Sequence, residues 1–465
     1  MLLNSVELLD YIVFTIFEKS FLYCANIKES YPISDCSQEL LKNVNFSEAT
    51  EIPGYIKERF SEKEIAEKVN SIHRLYQMGK ISRRKNAKHF INLKPDTITI
   101  KLIPTRRCNL SCSYCFSKNK SAEWDMSIET AKAAIDYFLS EFYSPSAKVT
   151  VDLSGAGEPL MRLDFIIALN EYLLQLKTER GINIFIQFAS NGMLLTPETS
   201  RLLKESMIMF GVSLDGDEAV SAKARKGIKY ELVVNNIKSM TDKRFFGIAS
   251  TFSGINHDII SIFENLYQLE PEVVSIKPVR SLPDEDGAIN SSNVEGIKLS
   301  YNDFCEWLLK KLADGKEQVF RAIVNGDDFF GKFLRNLQSP AKTIKPCYAG
   351  VDSISVDAEG NILICPAFIN HENTFLGNIR DGVDKNKLES LINFYTDNIE
   401  YCKDCWARYT CGGECFAVSY NNFNEYTKPD QVMCELKKHL IQLSIFFWHT
   451  LANEQPLMYK RLKGG

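Results

Sequence analysis

The chain has 465 residues, of which 45% are hydrophobic and 25% charged, and its net charge is -4. That length exceeds one ordinary core and predicts several domains, while the charge balance excludes the basic field that nucleic acid or an anionic membrane surface requires of a partner. No apolar run reaches the ~18 residues of a membrane-spanning helix. The opening "MLLNSVELLDYIVF" is interrupted by Glu7 and Asp10 and has no basic start, so it does not read as a signal peptide. A cytoplasmic location is expected. In a reducing compartment thirteen cysteines point to metal or redox chemistry rather than to a disulfide framework.

Residues 1–90 read as a small α+β unit. "DYIVFTIF", "SFLYCANI" and "SYPISD" have strand patterning, and "SQELLKNV" and "SEKEIAEKVNSIHRLYQMGK" have helical patterning. In the longer helix Ile65, Val69, Ile72 and Leu75 share one face, and Ser61 with Glu64 has the spacing of a capping box. The basic stretch 81–88 reads as a linker.

Between residues 91 and 290 strands and helices alternate. The apolar, β-branched runs are "TITIKLIPT", "KVTVDLSG", "NIFIQFAS", "IMFGVSLDG", "GIASTFSG" and "VVSIKPVR", with helical segments such as "SIETAKAAIDYFLSEF" and "RLDFIIALNEYLLQL" between them. Alternation of this kind implies parallel strands joined by right-handed crossovers. Six such units make an open, partial (β/α)6 barrel of the TIM type, with its chemistry at the C-terminal ends of the strands. Residues 281 to about 300 are rich in Pro, Gly, Asp, Ser and Asn and read as a loop, ahead of a bridging helical region to residue 346 that includes "YNDFCEWLLKKLADG". Residues 347–440 have little long periodicity and many cysteines, the pattern of a small domain held by metal, and 441–465 read as a C-terminal helix and tail.

"RRCNLSCSYCFSKN" follows the first barrel strand and holds Cys108, Cys112 and Cys115 in the spacing C-x3-C-x2-C. A structural zinc takes four ligands and disulfides take pairs, so three thiols beside Arg106 and Arg107 fit neither. A [4Fe–4S] cluster held by three thiolates keeps one iron open to a small chelating molecule.

At this position the motif resembles that of the radical S-adenosylmethionine (SAM) superfamily. The resemblance implies that Tyr114 lies against the adenine. "SGAGEPL" (154–160) resembles the segment that holds the methionine ammonium, here with Gly157 and Glu158, although Ala156 stands where glycine is usual. "ASNGMLL" resembles the segment after the third strand and contains Asn191, "VSLDG" places Ser213 near the ribose, and Arg225 falls where an arginine often meets the methionine carboxylate. The implied chemistry is reductive cleavage of SAM to a 5′-deoxyadenosyl radical that abstracts a hydrogen atom from an unactivated C–H bond.

Further along stand Cys347, Cys365 after Gly360, then Cys402, Cys405, Cys411 and Cys415 in "CKDCWARYTCGGEC", and Cys434. The C-x2-C start is shared with zinc ribbons, but seven cysteines and the C-x5-C-x3-C extension are not a zinc spacing. The set resembles the SPASM domain, which carries two auxiliary [4Fe–4S] clusters, for three in all. By that resemblance Cys402, Cys405, Cys411 and Cys434 ligate the outer cluster. Cys347, Cys365 and Cys415 ligate the inner one and leave it one ligand short. Cys24, Cys36 and Cys305 are unassigned; buried thiols are the default, and Cys305 is the candidate exception.

SPASM enzymes mostly act on peptides or proteins, and the N-terminal unit resembles the winged-helix-like recognition element of enzymes that modify ribosomally made peptides. This implies a precursor peptide whose leader adds as a strand near residues 30–34, where Pro32 removes one backbone donor. A flavodoxin or ferredoxin-type electron donor is implied as well. The favoured product is a Cys thioether crosslink of the sactipeptide or ranthipeptide type. Alternatives are a C–C or C–O side-chain crosslink of the cyclophane type, and formylglycine formation in anaerobic sulfatase maturation. Sulfatase-maturing relatives typically carry an Asp after the cysteine that corresponds to Cys365, and here Pro366 stands there. The general base is not evident from the sequence.

Overall fold

A computed structural model describes residues 10–44, 46, 51–81, 96–117, 124–143, 147–280, 285 and 287–463. All but Ile81 of the basic stretch 81–88 lies outside the described residues.

Three antiparallel strands, β1 (Tyr11–Ile16), β2 (Lys19–Cys24) and β3 (Glu29–Ile33), form a sheet with β2 in the middle. Helices α1 (Asp35–Asn43), α2 (Gly54–Arg59) and α3 (Glu62–Gln77) follow. The short α2 is not marked by the sequence pattern. Ser61 caps α3 by accepting from Glu64 N at 3.2 Å, which satisfies an otherwise orphaned helix donor for about 1 kcal/mol. Leu22, Cys24, Cys36, Leu40, Ile65 and Ile72 make a core of their own on the helix side. The opposite side packs on the C-terminal part of the chain: Phe17 packs at a tilt on Phe446 with ring centroids 4.7 Å apart, and Tyr23 hydrogen-bonds Thr410 at 2.7 Å. This unit therefore has one face for its own helices and one for the rest of the protein.

The alternating region runs β4 (Thr97–Leu102), β5 (Ser111–Cys112), α4 (Ile128–Phe142), β6 (Lys148–Asp152), α5 (Leu163–Arg180), β7 (Ile184–Ser190), α6 (Pro197–Glu205), β8 (Met209–Ser213), α7 (Glu218–Ala224), β9 (Arg225–Lys226), α8 (Tyr230–Lys238), β10 (Gly247–Phe252), α9 (Ile259–Tyr267) and β11 (Val273–Pro278). Strands β4, β6, β7, β8, β10 and β11 are parallel neighbours in that order. The strand at the middle of the row shows why. Along β7 Ile184, Ile186, Phe188 and Ser190 are buried, while Phe185, Gln187 and Ala189 between them are half-buried. The buried parity packs under the helices and the other parity faces the inside of the curve. A cavity of about 290 Å³ lies along these strands, lined by Gln187, Ala189, Gly211, Ala249 and Ser275 among others.

The third region holds α10 (Val294–Ala313), α11 (Glu317–Val324), α12 (Phe329–Gln338), β12 (Ser353–Val356), β13 (Asn361–Leu363), β14 (Gly377–Asn378), β15 (Gly382–Val383), α13 (Lys385–Ile392), α14 (Arg408–Cys411), α15 (Phe416–Phe423), α16 (Gln431–Glu454) and α17 (Pro456–Lys463). Three features differ from the sequence reading. Residues 294–300, read as loop from their Ser/Asn/Gly content, are the first turns of α10, because Val294, Ile297 and Tyr301 bury one face. The helix placed from residue 441 begins at Gln431 and carries Cys434. The cysteine-rich region is also not detached from the barrel: β12 pairs in parallel with β4 (Ile354 with Ile100, Val356 with Leu102), and β13, β14 and β15 extend the same sheet antiparallel. This pairing sets the late cysteines beside the strand ends. Among the described residues no helix is long and apolar enough to cross a membrane.

Candidate active site

The loop after β4 is pinned at its base. Thr105 donates to Asp125 at 2.5 Å, accepts from Arg107 N at 3.0 Å, and the Arg107 guanidinium pairs with Asp125. Downstream, β5 pairs antiparallel with β9, which puts Cys112 opposite Arg225. Cys108 Sγ lies 3.4 Å from Leu110 N and 3.9 Å from Asn191 Nδ2, both donors. Cys108, Cys112 and Cys115 all remain partly exposed. Burial pushes the Cys112 thiol up to about 11; Arg225 opposes this, and Cys115, Asp215 and Cys108 add to it. The three sulfurs thus lie within range of one another's charge. Three accessible thiols, with N–H donors aimed at one of them, fit a group that takes three protein thiolates.

The end of β6 is pressed against this loop. Gly157 has φ +72°, and a Cβ there would meet Thr105 O and lie 2.6 Å from Arg107 O. Glu158 N donates to Arg107 O at 2.8 Å. The Glu158 carboxylate is buried and accepts from Leu160 N (3.1 Å), Ser190 Oγ (2.8 Å) and Asn191 N (2.7 Å). Burial raises its pKa against those hydrogen bonds. Asn191 also donates to Asn109 Oδ1 at 2.7 Å, so Glu158 and Asn191 tie the ends of β6 and β7 to the cysteine loop.

Asp215, which the sequence reading did not single out, is the hub of the other side. Fully buried, it accepts from Tyr114 OH (2.6 Å), Arg225 Nε (2.9 Å), Arg225 Nη2 (3.1 Å) and Thr251 N (2.9 Å). The Arg225 guanidinium also lies 5.6 Å from the Tyr114 ring centre. Two of the donors expected to face a methionine carboxylate are therefore spent on Asp215, and Nη1 is the nitrogen left over. Asp215 lies inside "VSLDG", and the barrel rule that favours strand ends was the signal for it. Ser213 closes β8 two residues earlier. Beside Tyr114 lies a mostly apolar cavity of about 220 Å³, with Val220, Ala224, Thr251, Ile255 and Val279 in its wall.

The seven late thiols fall into two neighbourhoods. Burial pushes Cys402 up to about 12, with Cys411, Cys405 and Cys434 adding to it. Cys434 is likewise pushed up to about 12 by burial, and Lys437 opposes. The other neighbourhood holds Cys347, Cys365 and Cys415: burial pushes Cys365 up to about 12, with Cys415 and Cys347 adding, and Cys347 is raised by burial and by Cys415. This second set stands at the barrel mouth. Pro366 Cβ lies 2.7 Å from where a Cβ on Gly155 would sit, just past β6, and Lys101 of β4 is near enough to act on Cys347. Arg280, two residues beyond β11, has its pKa raised by Cys415 first, with Cys365, Asp327 and Cys347 adding and burial opposing.

Cys305 is a correction. It is completely buried on α10, its pKa raised by burial with Glu306 as the only other influence, and it stands apart from the other thiols. Cys24 and Cys36 are buried in the N-terminal core. Among the described residues no three His, Cys, Asp or Glu side chains close tightly around a single metal ion.

Residues 102–269 match the radical SAM superfamily model. The chain is 25% identical to the serine-type anaerobic sulfatase-maturating enzyme of Bacteroides thetaiotaomicron, over 77% of this chain and 93% of that protein. It is 22% identical to the radical SAM cyclopropyl synthase TigE of Paramaledivibacter caminithermalis, over 88% of this chain and 89% of that one. A solved structure of native anSMEcpe with bound AdoMet and Kp18Cys peptide superposes with TM-score 0.61 at 16% identity, covering 77% of this chain and 99% of that one, a likeness of fold. With its three-thiol loop at the end of the first barrel strand, the chain carries a radical SAM domain and is an enzyme of that superfamily.

Proposed function

We propose that the protein modifies a ribosomally made precursor peptide and joins a cysteine sulfur of that peptide to a carbon as a thioether. In this reading Cys108, Cys112 and Cys115 hold a [4Fe–4S] cluster. Tyr114 and the apolar cavity beside it take the adenine, while Glu158, Asn191 and Arg225 surround the methionine end of SAM. When bound, the cluster and SAM supply the one-electron chemistry that removes a hydrogen atom from a C–H bond. The chain's own part is positioning. Asp215 fixes Tyr114 and Arg225, Glu158 fixes the loop after β7, and the curved sheet encloses the peptide away from water.

The carrying observation is the division of the late thiols. Cys402, Cys405, Cys411 and Cys434 supply a complete four-ligand set, whereas Cys347, Cys365 and Cys415 at the barrel mouth supply three. A three-ligand cluster beside the substrate space keeps an iron for a substrate thiolate. A peptide substrate is also supported by β3, which pairs only with β2 among the described strands and lies at the edge of its sheet.

Formylglycine formation is the second reading, favoured by the similarity to sulfatase-maturing enzymes along nearly their whole length. Pro366 beside Cys365 weighs against it. The test is anaerobic incubation of reduced enzyme with SAM and a cysteine-containing precursor. A thioether product loses two hydrogens, keeps its sulfur and resists thiol alkylation. A product that reacts with a hydrazide carries an aldehyde and decides for formylglycine. Failure to cleave SAM removes both.

A further inference from the structure

We infer that Asn370 is a positioning residue for the SAM site: its side-chain amide staples the two stems of the three-cysteine loop to each other and to the segment that follows Cys365. This rests on the reading of Cys108, Cys112 and Cys115 as the cluster loop and adds to it a residue, far along the chain, that sets how the loop is held.

Arg106 stands on the entry stem of the loop and Phe116 on its exit stem. Asn370 Oδ1 accepts from Arg106 Nη2, and Asn370 Nδ2 donates to Phe116 O at 3.0 Å. One planar amide therefore closes the loop at its base, with its acceptor on one stem and its donor on the other. The Arg106 end has a charged donor, which makes the stronger kind of hydrogen bond. That guanidinium is itself fixed: Arg106 is 3% exposed, and its charge lies 4.8 Å from the centre of the Trp124 ring. Among the described residues Phe116 O accepts from no group other than Asn370.

The Asn370 side chain is exposed, yet its backbone is held on both sides. Before it Phe368 and Ile369 are buried, Phe368 N donates to Cys365 O at 3.0 Å, and Ile369 N donates to Pro366 O at 3.2 Å. After it His371 N donates to Phe368 O at 2.9 Å, and His371 Nε2 meets Asn421 Oδ1 at 2.8 Å. The same segment bears on the site a second time through Pro366, whose Cβ occupies the place of a side chain on Gly155, two residues before Gly157. A rigid turn after Cys365 thus presses on the end of β6 and grips both stems of the cysteine loop. A site that holds its ligand through several groups at once is sensitive to a shift of about 1 Å in any of them. Losing the staple therefore changes how the loop presents its thiols while the buried core around it stays intact.

The test titrates the reconstituted, reduced full chain with SAM and follows it by EPR. In the parent, SAM changes the signal of the reduced three-cysteine cluster, and the change saturates. Asn370→Ala raises the SAM concentration at half-saturation about fivefold or more and alters the shape of the SAM-induced difference spectrum, with iron content and melting temperature unchanged. Asn370→Asp keeps an acceptor for Arg106 but sets an oxygen in place of the donor to Phe116 O, so it shows the same defect. A parent-like SAM response in Asn370→Ala overturns the inference. A parent-like response in Asn370→Asp also overturns it, because the bond to Arg106 alone would then suffice. A SAM defect that comes with iron loss, or with a melting temperature several degrees lower, makes Asn370 a support of the fold and likewise overturns it. No SAM response in the parent removes the cluster-loop reading itself, and the inference with it.

Discussion

Asp10 at the entry to β1 reaches into the cysteine-rich region and grips Arg408, which lies between Cys405 and Cys411. The pair is bidentate, Nη1 to Oδ1 at 2.8 Å and Nη2 to Oδ2 at 3.0 Å, and both side chains are 1% exposed. Replacing Asp10 by Asn removes the charge and leaves a buried guanidinium whose nearest remaining carboxylate, Asp397, is 3.2 Å from Nε. Breaking one side of a buried pair costs about 3–5 kcal/mol, and with Asp397 still present the lower end applies. If that cost falls on the contact between the N-terminal sheet and the C-terminal region, opening of that sheet becomes about 150-fold more frequent.

Hydrogen exchange separates local from global effects. The amides of Leu22 and Tyr23 in β2 should exchange about 150-fold faster in Asp10→Asn, while those of Ile186 and Phe188 in β7 stay near the parent. Lys19→Ala is the control: its ion pair with Glu454 is 3.6 Å long and about half exposed, so removal should cost under about 1 kcal/mol. A rise below tenfold in β2, or an equal rise in β7, would refute the idea that this pair is the main clasp of the N-terminal unit.

Gly157→Ala forces a Cβ against Thr105 O and Arg107 O at φ +72°, so a loss of about 3 kcal/mol in thermal stability is expected, together with reduced iron retention. A melting temperature within a degree of the parent would contradict the close approach. Asp215→Asn leaves Arg225 buried without its counter-charge and releases Tyr114; calorimetry should record SAM binding at least tenfold weaker at unchanged iron content. Iron lost in parallel would instead make Asp215 a support of the cysteine loop. His439, half-buried and bonded to Asn302 at 2.8 Å, has its pKa pushed down to about 4 by burial of the ring first and then by the Lys298 ammonium. Because the folded value is the lower one, its contribution is present above about pH 6.5 and is lost as pH falls toward 4. About 1.4 kcal/mol should disappear between pH 7.5 and 5.5, and His439→Gln should flatten denaturant-measured stability over that interval. An unchanged slope would rule this histidine out as the titrating group.

The barrel was legible because its signals are local. Each strand is a short apolar run, α4, α6, α7 and α9 begin at a capping Ser, Thr or Asp, and the order of strands and helices dictates parallel pairing. What was not legible depends on pairing between distant residues. Nothing in "DSISVD" says that Ile354 will lie beside Ile100, yet that contact joins the cysteine-rich region to the barrel sheet. The first turns of α10 were hidden because Ser and Asn suggest loop, and only the burial of Val294 and Ile297 against distant partners overrides them. Among site residues, cysteines announce themselves by spacing. Asp215 does not, because an acid near a strand end is usually solvated. It became visible only through what it touches: Tyr114, Arg225 and Thr251.

What accompanies each set of late thiols separates their roles. Lys437 beside the four-thiol set is bound to Glu414 at 2.8 Å, both side chains under 10% exposed. Its charge is cancelled on the spot, and Gly413 O at 3.3 Å takes a further donor. In the reading proposed above, a set with four thiols and a neutralised cation would have neither an open valence nor a free charge with which to attract a ligand, and its part would be to pass electrons. The three-thiol set has the opposite arrangement. Burial raises the pKa of Cys347, and around it lie Cys415, which raises it further, the Lys101 ammonium, which lowers it, and the Asp352 carboxylate, which raises it again. If the inner set of the proposed reading served only as another electron relay, a cysteine-containing precursor would leave its iron spectra unchanged. A change at one iron that a cysteine-free precursor does not produce would instead identify it as the place where substrate sulfur is held.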